Sequence, residues 1–336
     1  MIHKMMLSVL TLGIICPPNV FGWTELENAE TDGAKMKMTL VVIDNDNNVV
    51  SNAWIQGGMY CDTGASMGTE FAGYTDCRGR FTISGKTTGR VVYSITKENH
   101  YQTSSEYDFA RKENGYTPSV KNGKWQPYGQ TQRVTLKCII NPTATRFHYG
   151  DLPVPVNDVW LGLDLEKFMW CPPYGKGQND DVLLRFTHDS YMKDEKVTRI
   201  TMEMSFTNNP FAGAYVLKKD EWSEFESVYH TNTNAEFNVT SFRFERLRTK
   251  TKRFKMESFP KDSYIVFRTR TKVDAEGKLI SAHYGKIYGE WQYARYFKHG
   301  GILFNSNPND PNLEDEESGI RARLHIKGMR ERGELK

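Results

Sequence analysis

Short segments in which apolar and polar residues alternate dominate most of this chain. Alternate residues of a β-strand point to opposite faces, so this alternation is typical of strands with one buried face. The segments recur between residues 36 and 305 and are separated by clusters of Asn, Asp and Gly, which form turns. The pattern therefore predicts a mainly β protein.

The first group of predicted strands extends over residues 37–140. Its segments are short, apolar or alternating, and bounded by turn residues: 36–43, 49–55, 74–83, 89–96 and 133–139. A Gly-rich loop is expected over 57–73, and a loose acidic linker over 23–36. Strands of this length and spacing are typical of a β-sandwich.

A second group of predicted strands begins after Asn141 and Pro142, because proline restricts the residue before it and cannot continue a sheet ladder. Its segments are 159–165, 182–187, 197–206 and 301–305, and residues 263–288 form a predicted antiparallel hairpin. One short helix is expected over 220–228. Residues 141–319 are therefore predicted to form a second, antiparallel β-rich domain, followed by a basic tail over 320–336.

The N-terminus has the three parts of a secretory signal. Lys4 precedes an apolar run over 5–15, two prolines end that run, and residues 20–22 suit a signal peptidase. The run is shorter than the roughly 20 residues that span a bilayer, and no later stretch is long and apolar enough to do so. Residues 1–22 are therefore predicted to be a signal peptide, and the mature chain to be periplasmic, displayed at the cell surface or secreted. Lipidation at Cys16 stays open as an alternative, although Ile15 precedes it where a small residue is usual.

The charge balance bears on the choice of partner. The chain has 44 Lys and Arg against 41 Asp and Glu, and removal of the signal peptide leaves a net charge of about +2. Such a balance argues against nucleic acid as a partner. Histidines are scattered and no H-E-x-x-H motif occurs, so neither a metal nor another cofactor is expected.

Four cysteines remain after removal of the signal peptide: Cys61, Cys77, Cys138 and Cys171. An even number in an exported chain permits disulfides, and four cysteines allow three pairings. A Cys61–Cys77 bridge is favoured because both residues lie in the first domain, across the predicted loop. The alternative is four free, buried thiols.

Three phrases of the first domain carry a family resemblance: VVIDNDNNVVSNAWI, GYTDCRGRFTI and GRVVYSITKENHY. Over about 37–140 they resemble the carboxypeptidase regulatory-like domain, a transthyretin-like β-sandwich. The resemblance implies a non-catalytic module that braces, docks or presents a neighbouring domain. Phrases in 141–315, such as LGLDLEKFMWCPPYGKGQNDD, resemble uncharacterised exported bacterial proteins with two β-rich parts, and they imply no activity.

Candidate ligand-binding residues form two aromatic groups and one basic strand. The aromatic candidates are Trp160, Trp170, Tyr174, Trp291 and Tyr293. Aromatic faces stack on ligand rings, but the same residues are also common in β cores. The basic candidates are Arg246, Arg248 and Lys250, which alternate along a predicted strand and suit an acidic ligand. The alternative is a solvated edge strand, where such charges block unwanted pairing.

Three functional hypotheses follow from these features. The first is an exported, non-catalytic binding protein whose partner is a glycan or an envelope protein. The second is a hydrolase of envelope polymers that uses paired carboxylates from among Asp164, Asp180, Asp181 and Glu290. The third is a scaffold without a ligand. No catalytic residue is predicted, since the G-x-S-x-G match at 64–68 lies in an expected loop with no helix after it.

Overall fold

A computed structural model describes most of the chain after the predicted signal peptide. The described residues are 24–61, 67–111, 117–143, 146–148, 150–191, 197–206, 211–220, 222–248, 255–256, 259–260, 262–289, 291–293, 296–298, 300–315, 318, 325 and 327–333. Strands account for 51% of the structure and helices for 6%, which confirms the mainly β prediction. The predicted signal peptide, with Cys16, and much of the basic tail lie outside the described residues.

The predicted linker contains a helix, α1 (Glu25–Asp32). Thr24 caps it: the Thr24 hydroxyl accepts from the Glu27 backbone N–H at 3.2 Å, and the Glu27 carboxylate accepts from the Thr24 N–H at 2.7 Å. This reciprocal capping box satisfies two donors that a helix otherwise leaves open at its start. The prediction of a loose linker was therefore wrong over this stretch, and the T-x-x-E spacing was the signal for it.

The first half forms two sheets that pack face to face. Its strands are, in chain order, β1 (Ala34–Ile43), β2 (Trp54–Tyr60), β3 (Met67–Tyr74), β4 (Arg80–Thr87), β5 (Arg90–Thr96), β6 (Thr103–Asp108), β7 (Val120–Lys121), β8 (Lys124–Trp125) and β9 (Gln130–Thr135). One sheet has the order β4–β1–β8–β7 with β9 also beside β1, and the other has the order β3–β2–β5–β6. Met38 and Leu40 of the first sheet share one core with Ile55, Val91 and Ile95 of the second. The predicted β-sandwich arrangement is present.

Most described residues of the Gly-rich stretch 57–73 lie in the antiparallel pair β2–β3 and not in the predicted loop. Its glycines mark close approach instead. A Cβ on Gly57 would lie 2.1 Å from the Val92 carbonyl oxygen, and one on Gly73 would lie 2.6 Å from the Phe81 ring. Glycine is required where a neighbouring backbone or ring comes this near.

The second half is also built from antiparallel sheets. Its strands are β10 (Arg146–His148), β11 (Asp151–Pro153), β12 (Trp160–Asp164), β13 (Met169–Trp170), β14 (Val182–Tyr191), β15 (Val197–Ser205), β16 (Gly213–Lys218), β17 (Ser241–Arg248), β18 (Lys255–Met256), β19 (Ser263–Val273), β20 (Leu279–Tyr288), β21 (Gln292–Tyr293), β22 (Tyr296–Lys298) and β23 (Ile302–Phe304). The sheet orders are β13–β12–β14–β15–β17–β18, β10–β23–β20–β19–β16 and β11–β22–β21. The predicted hairpin is confirmed as β19 and β20.

The predicted helix over 220–228 is absent from the described residues of that stretch. The chain there runs beside β6: Ser104 N–H donates to the Trp222 carbonyl oxygen at 2.7 Å, and Glu224 N–H donates to the Gln102 carbonyl oxygen at 2.9 Å. Backbone groups that a helix would pair internally are used to join the two halves. None of the described helices has the length and apolar character needed to cross a membrane.

A buried acid holds the chain next to the predicted boundary at Asn141. Glu314 accepts from the Tyr101 hydroxyl at 2.9 Å and from the backbone N–H groups of Ile140 and Asn141 at 2.9 and 2.6 Å. The Tyr101 ring also stacks on Phe225 of the second half, with 5.0 Å between ring centroids. The boundary segment is therefore tied to the second half.

Candidate ligand-binding groove

The outer face of the β3–β2–β5–β6 sheet carries an open hollow. Ile55, Val91 and Ile95 point into the core. Because side chains alternate along a strand, Gln56, Val92 and Ser94 must point outward. Directly paired residues of neighbouring strands share a face, so the register gives the outer surface row by row.

Two rows of small or polar residues form the floor of this hollow. The first row across the strands is Ala72, Gln56, Ser94 and Ser104, and the second is Glu70, Gly58, Val92 and Glu106. Small side chains at the centre leave a depression of about 850 Å³. We refer to this depression as the groove.

Trp222 closes the groove at the β6 edge. An isolated bridge pairs Thr103 with Ser223, so Trp222 lies opposite Ser104 and continues the first floor row. Its side chain is 47% exposed and lines the groove. The second half of the chain thus supplies an exposed aromatic ring to a surface built by the first half.

Aromatic side chains flank the floor along the strand direction. On one side Trp54 packs on Tyr74, with 4.8 Å between ring centroids. On the other side the Arg90 guanidinium lies 4.9 Å from the Tyr60 ring centroid and forms an ion pair with Glu106 at 2.6 Å. These flanking side chains are larger than those of the floor, which is why the surface is hollow at its centre.

The groove offers hydrogen-bonding groups without a catalytic pair. Amide, hydroxyl and carboxylate groups come from Gln56, Ser94, Ser104, Glu70 and Glu106. Of the described residues that line it, none is His, Cys or Lys. The two glutamates are three strand spacings apart, about 14 Å at about 4.8 Å per strand. Glycosidases need their two carboxyl groups within about 5–10 Å. The groove can therefore hold a polar ligand, but it lacks the acid–base pair of a glycosidase.

Three of the predicted aromatic binding residues are core residues. Trp170, Trp291 and Tyr293 are buried, with exposures of 5%, 0% and 1%. The Trp170 indole N–H donates to the Pro153 carbonyl oxygen at 2.6 Å, and the Trp291 N–H donates to the Tyr288 carbonyl oxygen at 3.0 Å. Their selection as ligand-binding residues was wrong, and the core alternative holds for them.

The other two aromatic candidates are on the surface. Trp160 and Tyr174 are each 43% exposed. Trp160 lies at the start of β12, where the Arg185 guanidinium stacks 4.9 Å from its ring centroid. Neither residue belongs to the groove, so neither supports the proposed site.

The basic candidates lie in or beyond β17. Arg246 and Arg248 are strand residues whose side chains lie outside the described set, and Lys250 lies outside it entirely. β17 pairs with β15 on one side and with β18 at Arg246 and Leu247 on the other. Among the described residues β18 covers only Arg246 and Leu247, so the edge-strand alternative and an acidic ligand on this strand both stay predictions.

The predicted Cys61–Cys77 disulfide does not form, because both thiols are free. Cys61 follows the Tyr60–Met67 end of the β2–β3 pair, whereas Cys77 lies beyond its Trp54–Tyr74 end. At about 3.3 Å per residue the two cysteines are roughly 20 Å apart. A disulfide needs Cα atoms within about 7 Å. Cys138 and Cys171 are also free.

The carboxylates of the hydrolase hypothesis converge on one cation. Arg270 contacts Asp181 at 2.8 Å, Glu166 at 2.5 Å and Asp164 at 3.2 Å, and the side chains of both aspartates are fully buried. Burial acts to lower the pKa of Arg270, but Asp181 and Glu166 outweigh it and the pKa rises above its ordinary value. Asp180 lines a hollow of about 400 Å³ beside this cluster. Asp164 and Asp181 both form ion pairs with Arg270, so they do not offer the hydrolase hypothesis a free pair of carboxylates. Glu290 lies outside the described residues.

The groove residues were missed by sequence reasoning because the predicted strand stopped at Ile55. Extending it to Tyr60 gives Trp54, Gln56, Gly58 and Tyr60 on one face, an aromatic–polar–small–aromatic alternation. This alternation was the available signal.

The described residues contain no group of three or more His, Cys, Asp or Glu that could hold a metal ion.

Comparisons with known proteins give weak structural similarities. Neither the protein-family models nor the curated proteins give a match. Among solved structures, the chain is similar to catechol 1,2-dioxygenase of Acinetobacter radioresistens (9% identity, TM-score 0.24, 32% of this chain and 52% of that one). It is also similar to 3-chlorocatechol 1,2-dioxygenase of Rhodococcus opacus 1CP (13%, 0.25, 32% and 61%) and to a streptococcal ancillary pilin (10%, 0.19, 68% and 60%). The chain thus spans between about half and three fifths of these proteins, and such TM-scores assign neither family nor function.

Proposed function

We propose that this chain is an exported, non-catalytic binding protein that holds a carbohydrate in the groove. The groove itself carries the proposal: an open hollow of about 850 Å³ with amide and hydroxyl groups on its floor and exposed Trp222 at its end. Sugar rings present apolar C–H faces and polar edges. An aromatic ring beside fixed polar groups suits both features.

The charge of the groove favours a neutral or amino-bearing sugar over an acidic one. Arg90 is paired with Glu106, so it offers little free positive charge to a ligand. Glu70 is exposed and adds a negative charge to the floor. An acidic polysaccharide would meet like charge there.

A glycan array, followed by calorimetric titration, tests the proposal. We expect the wild-type chain to bind neutral or N-acetylated glycans, and Trp222→Ala to lower the affinity about fivefold or more, since loss of one stacked ring costs about 1–3 kcal/mol. Trp160→Ala is the matched control, because that ring is similarly exposed but lies outside the groove. Wild-type chain that binds no glycan would contradict the proposal and leave the scaffold hypothesis. Equal loss of affinity in both variants would contradict binding in the groove.

Export is part of the same proposal and rests on the N-terminal signal pattern. Expression of the full chain in a bacterium, with intact-mass measurement of the exported product, checks it. We expect a mature chain that begins at Trp23. A lipid-modified mass that disappears in Cys16→Ala would support the alternative processing at Cys16.

A further inference from the structure

The C-terminal segment 327–333 packs onto the outer face that carries the groove. Met329 is fully buried and lies against Trp54 and Tyr74. Residues 327–331 are helical, and Arg332 N–H donates to the Gly328 carbonyl oxygen at 3.1 Å. One apolar side chain of this segment therefore covers an aromatic pair.

That aromatic pair is the direct continuation of the groove floor. Trp54 and Tyr74 oppose each other across β2 and β3, and the next outward pair along the same strands is Gln56 and Ala72. Successive outward pairs are about 7 Å apart. The Trp54 indole N–H also donates to the Gln56 side-chain oxygen at 3.2 Å, which joins the pair to the floor. The groove thus ends where the C-terminal segment begins to cover the sheet.

Two contacts of the described residues 327–333 join this segment to the first half of the chain. Besides Met329, an ion pair joins Arg330 to Glu98 at 2.7 Å, but the two side chains are 47% and 58% exposed. Ion pairs with this much exposure contribute little to binding. Met329 covers Trp54 and Tyr74, so a ligand that binds the same aromatic pair must compete with the segment.

We infer that Trp54 and Tyr74 form a second aromatic subsite of the groove, which takes a further sugar ring of a longer chain and which Met329 occupies in the absence of ligand. The inference rests on the proposed carbohydrate function. Met329 fills the place of the sugar because a thioether packs favourably on aromatic rings. A short saccharide binds the open groove beside Trp222, and a longer one displaces the C-terminal segment.

Two measurements on the full chain test the inference, and Met329→Glu is the central variant. A carboxylate cannot remain buried against the aromatic pair, so the segment undocks. Lys327→Ala is the control, since Lys327 is an exposed residue of the same segment. In the first measurement, a fluorescein-labelled peptide of residues 325–336 is titrated by anisotropy. We expect it to bind Met329→Glu and not the wild type or the control, in which the pair is already occupied.

The second measurement compares chitobiose and chitotetraose by calorimetry. We expect Met329→Glu to bind the tetramer at least threefold more tightly than the wild type, with no change for the dimer, and Met329→Glu/Trp54→Ala to lose the gain. A peptide that binds no variant, or a tetramer affinity unaffected by Met329→Glu, overturns the inference. Peptide binding without binding of any glycan, on the array or here, would instead reject the carbohydrate function while leaving the docking of Met329 intact.

Discussion

Lys286 is a fully buried amine near the contact between the two halves. Its Nζ donates to the Ser227 hydroxyl at 2.6 Å and to the Leu313 carbonyl oxygen at 2.9 Å, and it lies 4.7 Å from the Phe225 ring centroid. Burial lowers the pKa of Lys286 to about 8, although Asp315 at 3.8 Å opposes the change. Lys286 is therefore a structural amine whose charged form is destabilised by burial.

This burial predicts an unusual pH dependence of stability. Between pH 8 and the ordinary lysine pKa of about 10.5, the unfolded chain keeps the Lys286 proton while the folded chain releases it. The free energy of unfolding from this group therefore rises with pH, by up to about 1.4 kcal/mol per unit. In urea denaturation from pH 7 to 9.5, the free energy of unfolding of Lys286→Met should lack this rise. That of the control Lys327→Met should show it. Equal pH slopes in the wild type and Lys286→Met would contradict the assignment.

Arg270 differs from Lys286, because its acidic neighbours stabilise its charged form and raise its pKa. It adopts φ = 50° where the register of β19 and β20 shifts, and this bulge accompanies its approach to Asp164 and Asp181. Arg270→Met should lower the free energy of unfolding by about 3–5 kcal/mol, because buried carboxylates lose their cation. Arg185→Met removes a partly exposed ion pair and should cost only about 0–1 kcal/mol. Similar losses in the two variants, measured by urea denaturation, would argue against the cluster.

At this scale the sequence could not separate core aromatics from surface aromatics. Trp170 lies in a strand of two residues, and Trp291 lies just before another such strand. Neither segment is long enough to show alternation. Trp222, the ring in the groove, lies in irregular chain for which the sequence had predicted a helix.

Among elements, long strands with persistent alternation were predictable, and the Gly-rich part of the β2–β3 pair was not. The strands β12, β14, β15, β19 and β20 lie close to their predicted positions because alternation persists over them. The parts of β2 and β3 within residues 57–73 were interpreted as a loop because glycine is more common in turns than in strands. Glycine is needed there for close approach of neighbouring atoms, which depends on tertiary packing.

The same packing gives a prediction about the groove floor. Gly57→Ala places a methyl group 2.1 Å from the Val92 carbonyl oxygen, so β2 and β5 must shift apart. We expect a loss of about 1–3 kcal/mol in the free energy of unfolding, together with weaker glycan binding. Gln56→Ala, on the same strand but facing outward, should weaken binding with little change in stability. If thermal denaturation found Gly57→Ala as stable as the wild type, the described packing of β2 would be wrong.

For the whole molecule, the mainly β architecture was predictable and the surface that distant segments build together was not. The groove is built by β2, β3, β5 and β6, but Trp222 reaches it through the pairing of Ser223 with Thr103, far apart in sequence. Met329 approaches the same face from the C-terminus. Contacts at such sequence separations leave no local pattern, so only the folded chain shows that three distant segments meet on one sheet.

The most direct measurement of the central claim is an NMR titration of the full mature chain with the tightest glycan from the array. We expect chemical-shift changes at the Trp222 indole N–H and at the backbone of Gln56, Ser94 and Ser104. Resonances of Trp160 and Tyr174 should stay unchanged. Shifts at those two residues, with the groove resonances unmoved, would contradict the assignment of the groove as the binding site.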